Sequence, residues 1–447
     1  DGTSNCSHNP AILLGPRARR ELALSNNESN AQRGLSRARP TGTDQTLPQR
    51  ASGARVPSLT VNSRQIGAPL STAITETTEP TNPFDARGPF LLSLFMTLVG
   101  YSVLVALPAI NSAWVDQLGF TEVQVNRVAS ADLLGLFIGA VITSLLIRRS
   151  NRQHLIYLGI GLAILANGLC TQFIDYQMTL SLRFLAGLGS GFYTAVAVAS
   201  LGANSKPREA FNWMLLAFAV SQFLELQLIP RLTMDGIYYF FIATYLITLP
   251  FVRMIPIKGV ETVSAETTSI NQRPPRLAWV GIAAIVIAYI NIGAYWSNIE
   301  LAASASGLDS EWAGQVIAWC SLLSFVGCFG AMWVLKKFDY DRPLLVTFAL
   351  MIFAVSLLAF NINAALFLMS VAMFNFLWIF IDVYQMGGVS VTDRSGSAAA
   401  FIPGAQGLGQ TAGPFAASIM LDLGWGFDGV FVLCGLASSC ALTIYAL

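Results

Sequence analysis

From Phe90 to its last residue the chain alternates twelve long apolar stretches with short polar loops. The stretches cover 90–111, 128–147, 155–173, 178–200, 211–230 and 236–255, then 277–300, 312–335, 343–360, 365–388, 398–421 and 426–446. Most reach the ~20 residues that a helix needs to cross a hydrocarbon core of ~30 Å. Strands of a membrane barrel would be about ten residues long with period-two alternation, so every stretch predicts a helix. Glycine and proline inside several of them are tolerated in a bilayer, because neighbouring helices satisfy the freed backbone groups.

The same order of stretches and loops occurs twice, 188 positions apart, with Phe90 opening the first stretch and Ala278 the seventh. Arg148-Arg149 returns as Lys336-Lys337, Asn151 as Asp339, and Ala210 as Ala398. Two copies of a six-span unit predict an all-α polytopic membrane protein of twelve transmembrane helices. These form two pseudo-repeated six-helix bundles, 88–255 and 277–447, able to rock about a site held between them as in secondary transporters. The segment 256–276, with Pro256, Lys258, Glu261, Glu266 and Pro274-Pro275, reads as a polar linker.

Charge fixes the expected orientation. Hydrophobic residues make up 54% and charged residues 11%, against about 25% charged in soluble domains. Loops on one side hold thirteen cations, among them Arg148, Arg149, Lys206, Arg253, Lys336, Lys337 and Arg394; loops on the other hold Arg127 and Arg231. That asymmetry places the first set and both termini in the cytoplasm. Residues 1–87 are rich in Ser, Thr, Asn, Pro and Arg without a sustained period, which predicts a disordered basic tail, solvated or held against anionic lipid. A chain that begins at Asp1 without methionine and stops at Leu447 directly after a stretch reads as open to truncation at either end. The cysteines have no zinc-type spacing and read as small packing residues. No phosphate-binding Gly-Lys-Ser/Thr loop suggests an ATP-driven pump, and no spanning His–acid pair suggests an enzyme. The expectation is a monomer in the cell membrane (the inner one in a bacterium), with no cofactor, metal or nucleic acid. Its partners are lipid, a small-molecule solute and protons.

Ionisable groups inside the spans are costly and face a partner or a water-filled cavity. Asp132 in span two, Arg183 in span four and Glu225 in span five each fall about five residues below the same surface. At ~1.5 Å per residue they share one layer ~8 Å deep. An acid–base–acid layer is a substrate clamp, a proton site or a structural ion network, and the sequence leaves all three open. Gln222 shares a helix face with Glu225. In the second half Asn375, Trp378, Asp382 and Gln385 form one stripe on span ten, and Asn291, Tyr295 and Asn298 another on span seven, with Trp296 beside it. Such stripes glue helices together or line a cavity. As cavity lining, Asn291, Tyr295, Asn375 and Trp378 predict stacking and hydrogen bonding to a small polar or amphipathic organic solute. Asp382, closer to the basic side, predicts an inner gate neutralised by Lys336 or Arg394.

The run Arg183-Phe-Leu-Ala-Gly187-Leu-Gly189-Ser-Gly191 opens a groove on one helix face. Placed in the fourth of twelve spans, it resembles a motif of the major facilitator superfamily, as does Ala106-Leu107-Pro108-Ala109-Ile110 at the end of span one. The basic loops 148–154 and 336–342 occupy the positions of that superfamily's cytoplasmic loop motif. The resemblance covers about residues 88–447. It implies an alternating-access transporter, a proton-coupling role for Arg183, and gating by Arg148, Arg149, Lys336 and Lys337. Three departures are visible: Ile147 and Ser150 stand where the loop motif has an acid and a glycine, and Thr143 replaces a further glycine. Span five reads Ser221-Gln-Phe-Leu-Glu225 in place of the Gly-Pro motif of drug–proton antiporters. A sensor or assembly protein on the same scaffold is the alternative, because fold alone does not fix function.

Overall fold

The computed structural model describes residues 82–147, 149–258, 276–338, 341–392 and 401–447. The expected tail up to residue 81, most of the expected linker, Arg148, Asp339 and Arg394 lie outside the described residues. Regular structure in the described residues is helical throughout. The first half contains α1 (Arg87–Val105), α2 (Leu107–Leu118), α3 (Glu122–Leu146), α4 (Arg152–Cys170), α5 (Tyr176–Gly202), α6 (Pro207–Leu228) and α7 (Met234–Thr248). The second contains α8 (Arg276–Ala305), α9 (Ser310–Ser321), α10 (Leu323–Leu335), α11 (Asp341–Ser356), α12 (Ala364–Thr392), α13 (Ile402–Asp422) and α14 (Gly426–Ala446).

Ten of the helical segments are long and apolar enough to cross a bilayer. The ninth and eleventh expected spans do not meet that measure, for different reasons. Helix α11 has 16 residues. Helix α13 has 21, but Gly404, Gln406, Gly407, Gly409, Gln410 and Gly413 dilute its hydropathy. Large apolar side chains such as Leu145, Phe329, Val346 and Leu436 stand exposed on the outer faces, where lipid is their solvent. The chain is a multi-pass integral membrane protein.

Local sequence sets the helix ends. Thr121 and Gln124 form a capping box before α3, and Asn151 and Asp175 cap the first N–H groups of α4 and α5. Helices α1 and α2 are two pieces of one expected span, broken at Ala106. Pro108 is the cause: it has no N–H to return to the Leu104 carbonyl four residues earlier. The ordered structure also begins before the expected boundary at 87. Phe84 is buried under Arg152, whose guanidinium lies 4.8 Å from the ring, and Asp85 accepts from Ser205 N at 2.8 Å.

Two close helix pairs hold the halves in shape. Helix α3 lies against α5, and α8 against α13. A Cβ added to Gly187 would collide with the Asp132 carbonyl and one added to Gly413 with the Ala294 N–H, so these backbones meet only because the residues are glycine. Across the halves α3 meets α13, α2 meets α8, and α6 meets α9.

Candidate functional site

The first-half charges separate into two unrelated sites. Arg183 on α5 is fully buried and donates through both Nε and a terminal nitrogen to Asp132 on α3, with the Nε contact at 2.9 Å. Its other terminal nitrogen donates to Asn167 on α4 at 2.7 Å, and its guanidinium lies 5.8 Å from the Tyr238 ring on α7. Tyr238 in turn accepts from Trp114 Nε1 at 3.1 Å. Each of the three guanidinium nitrogens thus has an acceptor within the first half, as a buried charge requires. Glu225 is not part of this group, contrary to the layer expected from helix rise. It accepts from Ser102 on α1 at 2.6 Å and from Ser221 one turn earlier at 2.8 Å. Glu225 turns toward α1, while Arg183 turns toward α3, α4 and α7. Gln222 beside it is buried, with its Nε2 unpaired among the described residues.

The second-half stripes divide in the same way. Tyr295 stacks on Phe374 at 3.9 Å, shares a 2.9 Å hydrogen bond with Ser370, and meets Phe431 of α14 edge-on. Asn291 is buried nearby, its carbonyl accepting from Cys434 of α14. Asn375 donates to Val371 O in its own helix, and its carbonyl accepts from Ser324 of α10. All three are buried against side chains of the second half in this structure, and the side-chain carbonyls of Asn291 and Asn375 have no partner among the described residues.

Trp378 and Asp382 face elsewhere. Trp378, at the centre of α12, lies 6.2 Å from Trp296 and 6.1 Å from Phe374, and its indole nitrogen has no hydrogen-bond partner among the described residues. Tyr289 donates to Asp382, and Gln406 Nε2 of α13 lies 3.5 Å from the same carboxylate oxygen. Asp382 is half-buried and has no cation within ion-pair distance among the described residues. The expected neutralisation by Lys336 is therefore absent: Lys336 is exposed, and Arg394 lies outside the described residues. Arg149 and Lys337 are exposed too, with Lys337 Nζ 4.0 Å from the Trp333 ring.

This mid-depth group adjoins a polar seam between the halves. Trp296 Nε1 donates at 3.0 Å to the Leu104 carbonyl, the acceptor that Pro108 leaves free. Asn111 donates to Ser297 O at 2.7 Å, and Asn126 and Asn298 exchange hydrogen bonds at 2.7 and 2.9 Å. Ser130 donates to Thr411 O, Gln227 and Gln315 pair through their amides, and Arg127 meets Asp422 at 3.0 Å. These hydrogen bonds sit on the side of the molecule away from Arg149, Lys336 and Lys337. The halves are latched at one end.

The sequence matches the family model described as Major Facilitator Superfamily over residues 90–389. The chain belongs to the major facilitator superfamily. No curated protein matches the sequence itself. Among solved structures it is similar to the nucleoside transporter NupG, with a TM-score of 0.64 and 10% identity over 80% of this chain and 96% of that one. It is also similar to the POT family transporter PepTSo, at 0.63 and 11% over 80% and 97%. A D-xylose–proton symporter gives 0.63 and 15% over 80% and 96%. At these identities the likeness is one of fold. Family and fold make this superfamily member a solute transporter and not an enzyme.

Sequence reasoning passed over Tyr289, Gln406, Asn126 and Ser102. Ser102 and Tyr289 lie singly in apolar runs, while Gln406 and Asn126 sit among other polar or glycine residues of their helices, so none stood out. Tyr289 does lie two residues before Asn291, but on a different helix face.

Proposed function

We propose that this transporter carries a small amphipathic organic solute by alternating access, with twelve spans and both ends of the helical region in the cytoplasm. The observation that carries the reading is a half-buried carboxylate at the edge of a latched seam. Asp382 is held by a tyrosine hydroxyl and an amide beside Trp378, with no cation paired to it among the described residues. Trp378 offers a stacking face, and Tyr289, Gln406 and Asp382 offer hydrogen bonds of both kinds, the mix that orients a solute in a mostly apolar pocket. An ionised carboxylate at that depth gains from a positive partner, and a proton or a cationic group on the solute supplies one. Glu225, bound only by serine hydroxyls, is a second carboxylate of the same kind in the first half. Arg183 and Asp132 satisfy each other inside the first half, so their part is to fix α3, α4, α5 and α7. The latch at one end is the expected arrangement of a state open toward the basic side, where Arg149, Lys336 and Lys337 lie in the loops.

Sealed proteoliposomes test the reading. Organic acids, sugars, nucleosides, amino compounds and drug-like cations are offered with and without a pH gradient. At least one is expected to accumulate in a gradient-dependent way, and Asp382→Asn is expected to abolish accumulation while leaving exchange. Binding without flux across the whole panel would assign the scaffold to a sensor instead. Unchanged accumulation in both Asp382→Asn and Glu225→Gln would remove these carboxylates from coupling.

A further inference from the structure

At the latched end a cavity lies apart from the mid-depth group. Its volume is about 330 Å³, and both halves line it: Ser112, Asp116 and Arg231 from the first, Glu300, Glu311 and Gly314 from the second. That volume is at the lower end of the range for small-molecule sites, about 300–1,000 Å³. Asp116, Glu311 and Arg231 are exposed at the rim, while Glu300 is 5% exposed. Its Oε2 has no hydrogen-bond partner. Three carboxylates thus surround the cavity with one guanidinium among them. The amides on its wall are already engaged: Gln227 and Gln315 bond each other, and Gln117 bonds Leu232 O and Met234 N.

We propose that this cavity is a binding site for a small primary ammonium ion that bridges the two halves. Among the described residues two groups on its wall are unmet, the Glu300 carboxylate oxygen and the Ser112 hydroxyl; the carboxylate oxygen takes only a donor, which the ligand brings. The surplus of carboxylates favours a cation, and the volume admits a small organic one. A protonated amine meets all three conditions, because its N–H groups make charge-assisted hydrogen bonds to a carboxylate. A quaternary ammonium ion carries the charge without the donor. A divalent metal ion is a poor fit, since no group of three or more metal-ligating side chains gathers among the described residues. Because the walls come from both halves, an occupant interacts with them together only while the seam is closed. It therefore shifts the equilibrium toward that state by its differential affinity. The site acts as a brake on seam opening, separate from the place where solute is carried.

Titration calorimetry on the whole chain in lipid nanodiscs, with n-butylammonium as the probe, tests this. Saturable binding is expected, with tetramethylammonium and n-butanol each weaker by about tenfold or more, since one lacks the N–H and the other the charge. Glu300→Gln is expected to weaken n-butylammonium by about tenfold or more for the same reason. Asp116→Asn, at the exposed rim of the other half, should weaken it by about two- to threefold. Gly314→Leu provides a variant that leaves the carboxylates in place. A Cβ there meets nothing within 4 Å, so a side chain can start from this wall of the cavity, and its bulk should weaken binding. Asp382→Asn should leave the affinity within about twofold, as expected for non-contacting sites. Absence of saturable binding, equal binding of tetramethylammonium, or unaltered affinity in Glu300→Gln or Gly314→Leu overturns the site. Unaltered affinity in Asp116→Asn overturns the bridge between halves. Loss in Asp382→Asn with none in Glu300→Gln moves the amine to the mid-depth group and overturns the assignment as well.

Discussion

Trp296→Phe isolates the one seam contact whose cause can be traced to a single proline. The indole N–H meets the Leu104 carbonyl at 3.0 Å, and that carbonyl lacks its usual helical partner because residue 108 is proline. Phenylalanine removes the donor. With the seam closed, the acceptor is then left without a partner; with the seam open, water reaches it. The loss therefore falls on the closed state alone. Leu104 is only half-buried, which puts the cost at about 1–2 kcal/mol, the lower part of the range for an unmet acceptor. In a two-state seam that is roughly a 5- to 30-fold rise in the open population. Ser297 reports it: it is fully buried in the seam, and cysteine is close to serine in shape. In a background lacking the native cysteines, Ser297→Cys should be alkylated faster by that factor once Trp296→Phe is added. The smaller ring also leaves a void, so a second change is needed to assign the effect. Pro108→Ala restores an N–H that reaches Leu104 O within the helix, and the double variant should recover most of the slow rate although the void remains. An unchanged rate in Trp296→Phe, or no recovery with Pro108→Ala, would show that the hydrogen bond does not latch the seam.

Three further outcomes are expected. Removing Arg183 alone strands a buried acid, so Arg183→Met should lower thermal stability by about 3–5 kcal/mol, whereas Arg183→Met with Asp132→Asn should recover much of the loss; equal damage in both would mean that the pair is not coupled. Gly187→Ala places a methyl group against the Asp132 carbonyl and should destabilise by about 1–3 kcal/mol. Gly161→Ala meets nothing within 4 Å, so its unfolding midpoint should stay near that of the unsubstituted chain or rise. For the proposed orientation, a single cysteine at Asp116 should react with an impermeant thiol reagent added outside intact cells and one at Arg149 should not; the reverse labelling refutes it.

The glycines show how far pattern reaches. Gly187 and Gly191 mark a groove in the sequence, and the structure seats α3 in it, because a four-residue spacing on a helix fixes one face whatever the neighbour. The break after Ala106 divides what the apolar pattern reads as a single span, although its cause, Pro108, is local. Glu225 marks where that reach ends. Its depth follows from helix rise, but its direction depends on how α6 is rotated, and only packing against α1 decides that. Tyr295 and Asn375 show the same limit, since both lie buried against side chains of their own half in this structure. A polar stripe in a bilayer must face inward, and inward includes the back of its own bundle as well as the space between bundles.

What the sequence determined by itself is what period, length and composition govern: the helical class, the membrane setting and the family resemblance. The first two follow from interactions within a few residues, or from transfer of a whole helix into lipid, and both are written in composition and spacing. Tertiary structure alone decided which polar residues meet. The pairing of Arg183 with Asn167, of Tyr289 with Asp382, and of Trp296 with Leu104 O depends on the rotation of each helix about its axis and on its place beside another. A turn of about 100° separates one residue's direction from the next, so an error too small to alter any span exchanges a bundle interior for a cavity wall.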